Sequence, residues 1–351
     1  MIPTSNYGYW FTMLLRTTDG GANWWNVSPP LAEPPTEEIQ EMFFLGSENA
    51  WIATTSGIAP TGEVSSTTVW RTQDGGQTWN SGTPISHRLP YGWEMVLADD
   101  QFGWLMIRGD TAAGSQSVEI FRTMNGGRDW DEISSVSIDD RPPVTGQISA
   151  ACYKDQILFR DVSNGWVMGE CLESGFLLQV THDGGLSWEL EDMPPSIEGP
   201  DLLNAAECVP YPPVFSPPQR GLFTVICMFD SLLTYRTSDG GQTWDPPSVR
   251  RERLMIDGVD SVDADNGWLV YFDDKAEKRL SITHDGGQTW SEMGPNGDHV
   301  NLSETGFVDS KAGWALLNDE NREHSSLCKT LDGGITWACL TPRLQPGAPG
   351  R

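Results

Sequence analysis

The sequence predicts an all-β fold: a seven-bladed β-propeller of four-stranded blades, with the first blade incomplete. Two observations carry this reading. A nonapeptide of the form RTSDGGQTW (236–244) recurs at 16–24, 71–79, 122–130, 180–188, 282–290 and 329–337. A short apolar stretch precedes the later copies, as in AWIAT (50–54), GWLMI (103–107), GWVMG (165–169), GLFTV (221–225), GWLVY (267–271) and GWALL (313–317).

The acidic positions of the repeat are Asp19, Asp74, Asn125, Asp183, Asp239, Asp285 and Asp332, separated by 55, 51, 58, 56, 46 and 47 residues. A period near fifty implies one supersecondary unit stacked on the next. Asp-Gly-Gly supplies a tight hairpin turn, because glycine accepts positive φ without Cβ strain. The carboxylate can take hydrogen bonds from turn amides. The Trp five residues later anchors the returning strand. Asn125 keeps the acceptor and loses the charge, so the third copy should still fold. A calcium loop needs more oxygen ligands at close spacing, so the repeated carboxylates read as turn formers.

Each Gly-Trp stretch reads as a strand entered through a turn. Others precede it, such as EMFFL (41–45) and QILFR (156–160). One unit is then a first strand, the Gly-Trp strand, the strand into Asp-Gly-Gly, and a strand carrying the Trp.

These residues carry a family resemblance. T-x-D-G-G-x-T-W resembles the Asp-box, or bacterial neuraminidase repeat. Combined with Gly-Trp strands, it is most similar to the photosystem II assembly and stability factor family, over residues 9–341. That resemblance implies a seven-bladed propeller acting as a binding or assembly scaffold without catalysis. The box is also similar to repeats of sialidases, xyloglucanase-type glycosidases and sortilin-type receptors. Lys plus Arg number 22 against 49 Asp plus Glu, a net charge of −27. The assembly factors are associated with a basic patch, so this chain departs from them there. The charge argues against nucleic acid and suits a cationic protein or polysaccharide partner.

In chain order, the propeller occupies residues 1–341. Its blades lie at about 9–28 (partial), 39–80, 91–131, 146–190, 203–245, 255–291 and 300–341, and 342–351 reads as a disordered tail. Residues 209–218 (VPYPPVFSPP) are too Pro-rich for a ladder. The third and fourth strands of blade one are present, with at most a remnant of the second. Longer, variable connections fall at 57–68, 109–117, 131–144, 189–201, 272–279 and 318–326, on the face opposite the Asp-Gly-Gly turns. A candidate binding rim is Asp139, Asp140, Glu191 and Asp192, with apolar Ile133, Val136, Ile138, Met193 and Ile197.

Six cysteines pair by position. Cys152 and Cys171, and Cys208 and Cys227, are each 19 residues apart at matching places in blades four and five. Cys328 and Cys339 straddle the last Asp-Gly-Gly turn. Each pair would bridge one antiparallel hairpin; the alternative is six buried free thiols. Bridges imply an extracytoplasmic compartment. No stretch approaches the roughly 20 apolar residues of a membrane span. MIPTSNYGYWFTMLL lacks the features of a signal peptide, so the natural chain is expected to begin further upstream and carry an export signal. We expect a monomer without metal or cofactor.

The enzyme alternative is a glycoside hydrolase. A sialidase needs an Arg triad, but the repeated Arg16, Arg71, Arg122 and Arg236 belong to the turns. A xyloglucanase-type enzyme needs two carboxylates flanking a cleft. Candidates such as Asp139, Asp140, Glu191, Asp192, Asp273 and Asp274 are plentiful, yet nothing in sequence pairs two of them. His182 and His284 share a variable turn position, and the five His show no ligand spacing.

Overall fold

In the computed structural model the chain winds into seven sheets arranged as propeller blades, antiparallel throughout except for one parallel pair in blade one. The structure describes residues 13–31, 37–55, 65–89, 91–140, 145–172, 175–195, 208–252, 255–273, 275, 278–292, 302–318 and 325–346. Residues 9–12 of blade one, Ile197, and much of the connections at 57–68, 189–201 and 318–326 lie outside these.

Blade one holds β1 (Leu15–Arg16) and β2 (Asn23–Asn26). Blade two is β3 (Glu38–Leu45), β4 (Asn49–Thr55), β5 (Ser65–Thr72) and β6 (Asn80–Ser81), with β7 (Ile85–His87) added to β5. Blade three is β8 (Trp93–Leu97), β9 (Gly103–Ala112), β10 (Ser115–Thr123) and β11 (Asp131–Val136). Blade four is β12 (Tyr153–Phe159), β13 (Gly165–Glu170), β14 (Phe176–Thr181) and β15 (Glu189–Leu190). Blade five is β16 (Cys208–Ser216), β17 (Arg220–Cys227), β18 (Ser231–Thr237) and β19 (Ser248–Arg251). Blade six is β20 (Ile256–Ser261), β21 (Gly267–Phe272), β22 (Lys278–Thr283) and β23 (Ser291–Glu292). Blade seven is β24 (Leu302–Phe307), β25 (Gly313–Asn318), β26 (Ser325–Thr330) and β27 (Ala338–Cys339). The last strand, β28 (Arg343–Gln345), runs parallel to β2, so blade one has three strands among the described residues.

First strands of successive blades pack together, β3 on β8, β8 on β12, β12 on β16, and β20 on β24. They are therefore the innermost strands, and the propeller axis runs beside them. The core lies between blades. Trp166, Met168 and Val180 of blade four pack with Phe223, Leu233, Tyr235 and Trp244 of blade five. A sheet with apolar residues on both faces has to be covered on both, and a ring of blades provides that cover.

Several sequence expectations change. The tail read as disordered contributes β28. The Pro-rich stretch in blade five is a strand after all: β16 shifts register between Tyr211 and Val214, taking Pro212 and Pro213 into a bulge. An innermost strand has one unpaired edge, where missing N–H groups cost no ladder bond. Residues 131–136, read as part of a loop, are β11, the outer strand of blade three. The connection at 109–117 is a tight hairpin, with β9 reaching Ala112 and β10 starting at Ser115. In blades two to seven the box Trp ends the turn, and the fourth strand starts after it.

All three cysteine pairs are disulfides: Cys152–Cys171, Cys208–Cys227 and Cys328–Cys339. The latter two join directly opposed residues, Cys208 facing Cys227 and Cys328 facing Cys339. Three bridges suit an oxidising compartment. No helix is long and apolar enough to cross a membrane among the described residues.

Candidate functional site

The repeated carboxylates are consumed by their own turns. In the second copy Thr72 Oγ1 donates to Asp74 Oδ1 (2.8 Å) and accepts from the Gly76 amide (2.8 Å). Asp74 also accepts from the Thr78 amide (2.9 Å) and hydroxyl (2.7 Å). Gly75 and Gly76 take φ of 69° and 85°, the left-handed values the turn requires. The same network surrounds Asp183, Asp239, Asp285 and Asp332. Asp19 makes it with Asn23. At Asp239 burial opposes ionisation, but bonds from Thr243, Thr237 and the Gln242 amide outweigh it and bring the pKa down to about 2. Such carboxylates are firmly ionised acceptors with no proton to donate at neutral pH.

A different set of acids converges at the axis. Innermost strands β3, β8, β12, β20 and β24 carry Glu41, Glu94, Asp155, Asp257 and Glu304. Four of these strands bulge beside their acid: between Ile39 and Glu41, Lys154 and Gln156, Ile256 and Gly258, and Leu302 and Glu304. A bulge re-aims a side chain out of the pleat. Asp155 is itself the bulged residue, and its Oδ2 accepts from the Glu170 amide (3.1 Å). In blade five the corresponding residue is Tyr211.

The electrostatics tie this set together. Burial raises Glu94 to about 7, and the Glu41 and Asp155 charges push the same way against Arg108. Burial also raises Glu41 and Asp155, opposed in part by Arg108. Tyr211 is raised by burial and then by Asp257 and Glu170. The acids thus form an arc from blade two through blade six. Two cations face it. Arg108 donates to the Lys154 carbonyl (3.0 Å), and Lys278 pairs with Asp257 (2.8 Å). Lys154 is fully buried, but its ammonium turns away to the Ala151 and Cys152 carbonyls (2.7 and 3.1 Å). A 140 Å³ cavity opens among Asp257, Asp260, Lys278 and Glu304.

The sequence reading missed this arc. Its signal is an acid near the start of five of the six described first strands, in Glu41-Met42, Glu94-Met95, Asp155-Gln156, Asp257-Gly258 and Glu304-Thr305. The rim it named instead has more ordinary surroundings. Asp140 accepts from the Ser137 amide (2.8 Å) and lines a 370 Å³ cleft with Arg88 and Glu119. Asp139 donates its amide to Ser137 Oγ (3.3 Å). Glu191 is raised to about 7 by burial, then by Asp192 and Asp239. Asp239 belongs to a turn of blade five, so Glu191 sits toward the turn face, and the neighbours of the two acidic pairs differ.

No described group of His, Cys, Asp and Glu has the arrangement of a metal site. Seven sheets about one axis, six of them joined through Asp-Gly-Gly turns between third and fourth strands, decide the architecture. It is a seven-bladed Asp-box propeller. The BNR/Asp-box repeat model matches residues 281–292, the sixth copy. No curated protein matches the sequence. Among solved structures, this Asp-box propeller is similar to YCF48 bound to D1 peptide, with a TM-score of 0.52 at 16% identity over 89% of this chain and 88% of that one. YCF48 from Cyanidioschyzon merolae gives 0.52 at 15% identity, covering 88% and 87%. The GH74 xyloglucanase from Xanthomonas campestris gives 0.56 at 11% identity, covering 92% of this chain and 51% of the enzyme. At such identities the likeness shows the fold alone.

Proposed function

We propose that this Asp-box propeller is a non-catalytic scaffold of an extracytoplasmic compartment, which receives a cationic segment of a protein partner at its axis. The observation carrying this is the acidic arc. Glu41, Glu94, Asp155, Glu170, Asp257 and Glu304 lie on innermost strands or beside them, facing Arg108 and Lys278. A concave site lined by one sign of charge focuses its field and steers oppositely charged ligands. The structural likeness to a peptide-bound propeller is consistent with a peptide as the guest. Three disulfides support the compartment.

The experiment is titration with Lys/Arg-rich peptides at low and at 0.5 M salt. Binding should weaken steeply with salt and fall at least about tenfold in Glu41→Gln/Glu94→Gln/Asp155→Asn, through loss of charge complementarity. Salt-independent binding, or no effect of the triple change, would discard the axial site.

One observation favours a second reading. Glu94, held near pH 7 next to Glu41, has the environment of a general acid. A glycoside hydrolase would release reducing sugar from a polysaccharide panel, and Glu94→Gln would abolish that release.

A further inference from the structure

The ladders of blades two to seven set one residue of each innermost strand at an equivalent place beside the axis. The reference is the second-strand residue two places after the Gly-Trp aromatic or its equivalent: Ala53, Met106, Met168, Thr224, Val270 and Leu316. Opposite these stand Glu41, Glu94, Gln156, Tyr211, Gly258 and Glu304. Five of the six carry a long polar or aromatic side chain. Blade six alone has glycine there.

The backbone of Gly258 does not require glycine. Its φ lies outside the left-handed region that the turn glycines occupy. A Cβ built on it would meet nothing among the described residues nearer than the Tyr211 hydroxyl, at 4.0 Å. Glycine inside a strand weakens it and often marks a place that another group approaches closely. The row of axial side chains therefore has a gap between Tyr211 of blade five and Glu304 of blade seven. The 140 Å³ cavity lies at this gap, lined by Asp257, Gly258, Asp260, Lys278 and Glu304 among others.

The chemistry of the lining selects the guest. Asp257, Asp260 and Glu304 face a single ammonium, that of Lys278, which pairs with Asp257 at 2.8 Å. Asp260 also accepts from the Phe307 amide (2.9 Å), which fixes it in the wall. The excess of negative charge favours a cation, and no described group of acids is arranged to hold a metal ion. A cavity of about 150 Å³ accommodates a benzene ring, so a planar guanidinium fits. Guanidinium presents five N–H donors in a rigid fork and stacks on aromatic rings, whereas an ammonium is a compact point charge. The acceptors Tyr211, Asp257 and Glu304 come from three successive blades, a spread that suits the fork better than the point.

We propose that the gap at Gly258 is an arginine-reading subsite, which seats one Arg side chain of the partner's cationic segment between Tyr211 and Glu304. It rests on the axis receiving such a segment and adds selectivity to it. The arc attracts any cationic segment, and the gap separates arginine from lysine within it. Charge supplies steering, and the fitted pocket supplies discrimination.

The probes are two labelled Lys-containing peptides of equal length and charge, identical except for Arg or Lys at the central position. Each is titrated into the whole protein and followed by fluorescence anisotropy. The Arg peptide should bind at least about tenfold more tightly, the effect of one charge-assisted fork. Gly258→Val should abolish this preference by filling the gap, and Tyr211→Phe should narrow it by removing the hydroxyl. Glu41→Gln/Glu94→Gln should weaken both peptides and keep the preference. Gly258→Ala should melt at or above the parent, because its Cβ meets open space and the unfolded chain loses freedom. Equal affinities of the two peptides for the parent, or a preference that survives Gly258→Val, overturn the subsite and leave the axial site standing. A lower melting temperature for Gly258→Ala also overturns the subsite, since the gap would then be filled in the free protein. Binding of neither peptide overturns the axial site and the subsite together.

Discussion

Asn125 donates its side-chain amide to Asp129 Oδ2 at 2.9 Å. The polarity of the repeat's central bond is therefore reversed in the third copy. In the second, Asp74 accepts from Thr78; in the third, the carboxylate has moved four residues on and accepts from Asn125. The amide of Asp129 still donates to Asn125 Oδ1 (3.0 Å), so the turn closes as in the other copies. Asp129 also accepts from Thr83 (2.7 Å), joining the turn to the end of blade two.

This pairing predicts a specific epistasis. Asn125→Asp alone sets two carboxylates against each other and removes a donor. It should lower stability at pH 7, through a lost charge-assisted bond plus like-charge repulsion. The cost should shrink below about pH 4, where carboxylates protonate. Adding Asp129→Thr restores the arrangement of the second copy and should recover most of the loss. Urea unfolding of the two single changes and the double at pH 7 measures the coupling.

Trp104 combines a stack on Phe159 with a bond to the Gly184 carbonyl and is fully buried. Trp104→Ala should lower stability by about 3–5 kcal/mol through cavity formation. Trp104→Phe keeps much of the stack and strands the carbonyl, so about 1–3 kcal/mol is expected. Equal losses from both in urea unfolding would show that the carbonyl bond contributes more than the ring.

Glu94 sets a pH dependence. Its folded pKa is raised to about 7, above the ordinary glutamate value of about 4.3 in the unfolded chain. Between those values the folded state holds a proton that the unfolded state has released. Stability should therefore fall as pH rises from about 4.3 to 7 and level off above it. Glu94→Gln should remove that slope and be more stable at pH 8 by roughly 1–3 kcal/mol. Glu41→Gln should shift the slope to lower pH by removing the neighbouring charge. Urea midpoints from pH 4.5 to 8 test both.

Lys154 works in the opposite sense. Burial lowers its ammonium to about 7, against about 10.4 in the unfolded chain. The unfolded state binds the extra proton between those values, so this contribution to stability should rise from pH 7 to 10.4. Lys154→Met should remove that rise, which thermal melts at pH 7 and 9.5 would detect.

The disulfides are expected to act blade by blade. Replacing Cys208 and Cys227 together by Ala should cost about 2–4 kcal/mol, chiefly by freeing the unfolded chain. The same replacement of Cys152 and Cys171 should cost a similar amount, since both pairs are separated by 19 residues. Denaturant midpoints with and without reductant provide the measurement.

Much of the fold could be read locally. Asp-Gly-Gly needs two left-handed residues and an acceptor, and those demands leave a mark within nine positions. The cysteine pairings could be read too, because register within a hairpin converts directly into spacing. Pro212 and Pro213 misled the reading because propensity ignores which strand edge is free. The stretch at 131–136 misled it because a polar outer strand has the composition of a loop. The axial arc was overlooked for a related reason: one acid per strand, fifty residues apart, gives no local motif.

The chain by itself determined the number of turns, their chemistry, the three bridges and the seven-fold repetition, all consequences of contacts between residues near in sequence. Tertiary structure alone decided what meets across the ring. It brings Glu41, Glu94 and Asp155 from three blades to one axis, where burial and mutual repulsion hold Glu94 near pH 7. These are relations between distant residues, set by the closure of the propeller, so no single stretch of sequence encodes them.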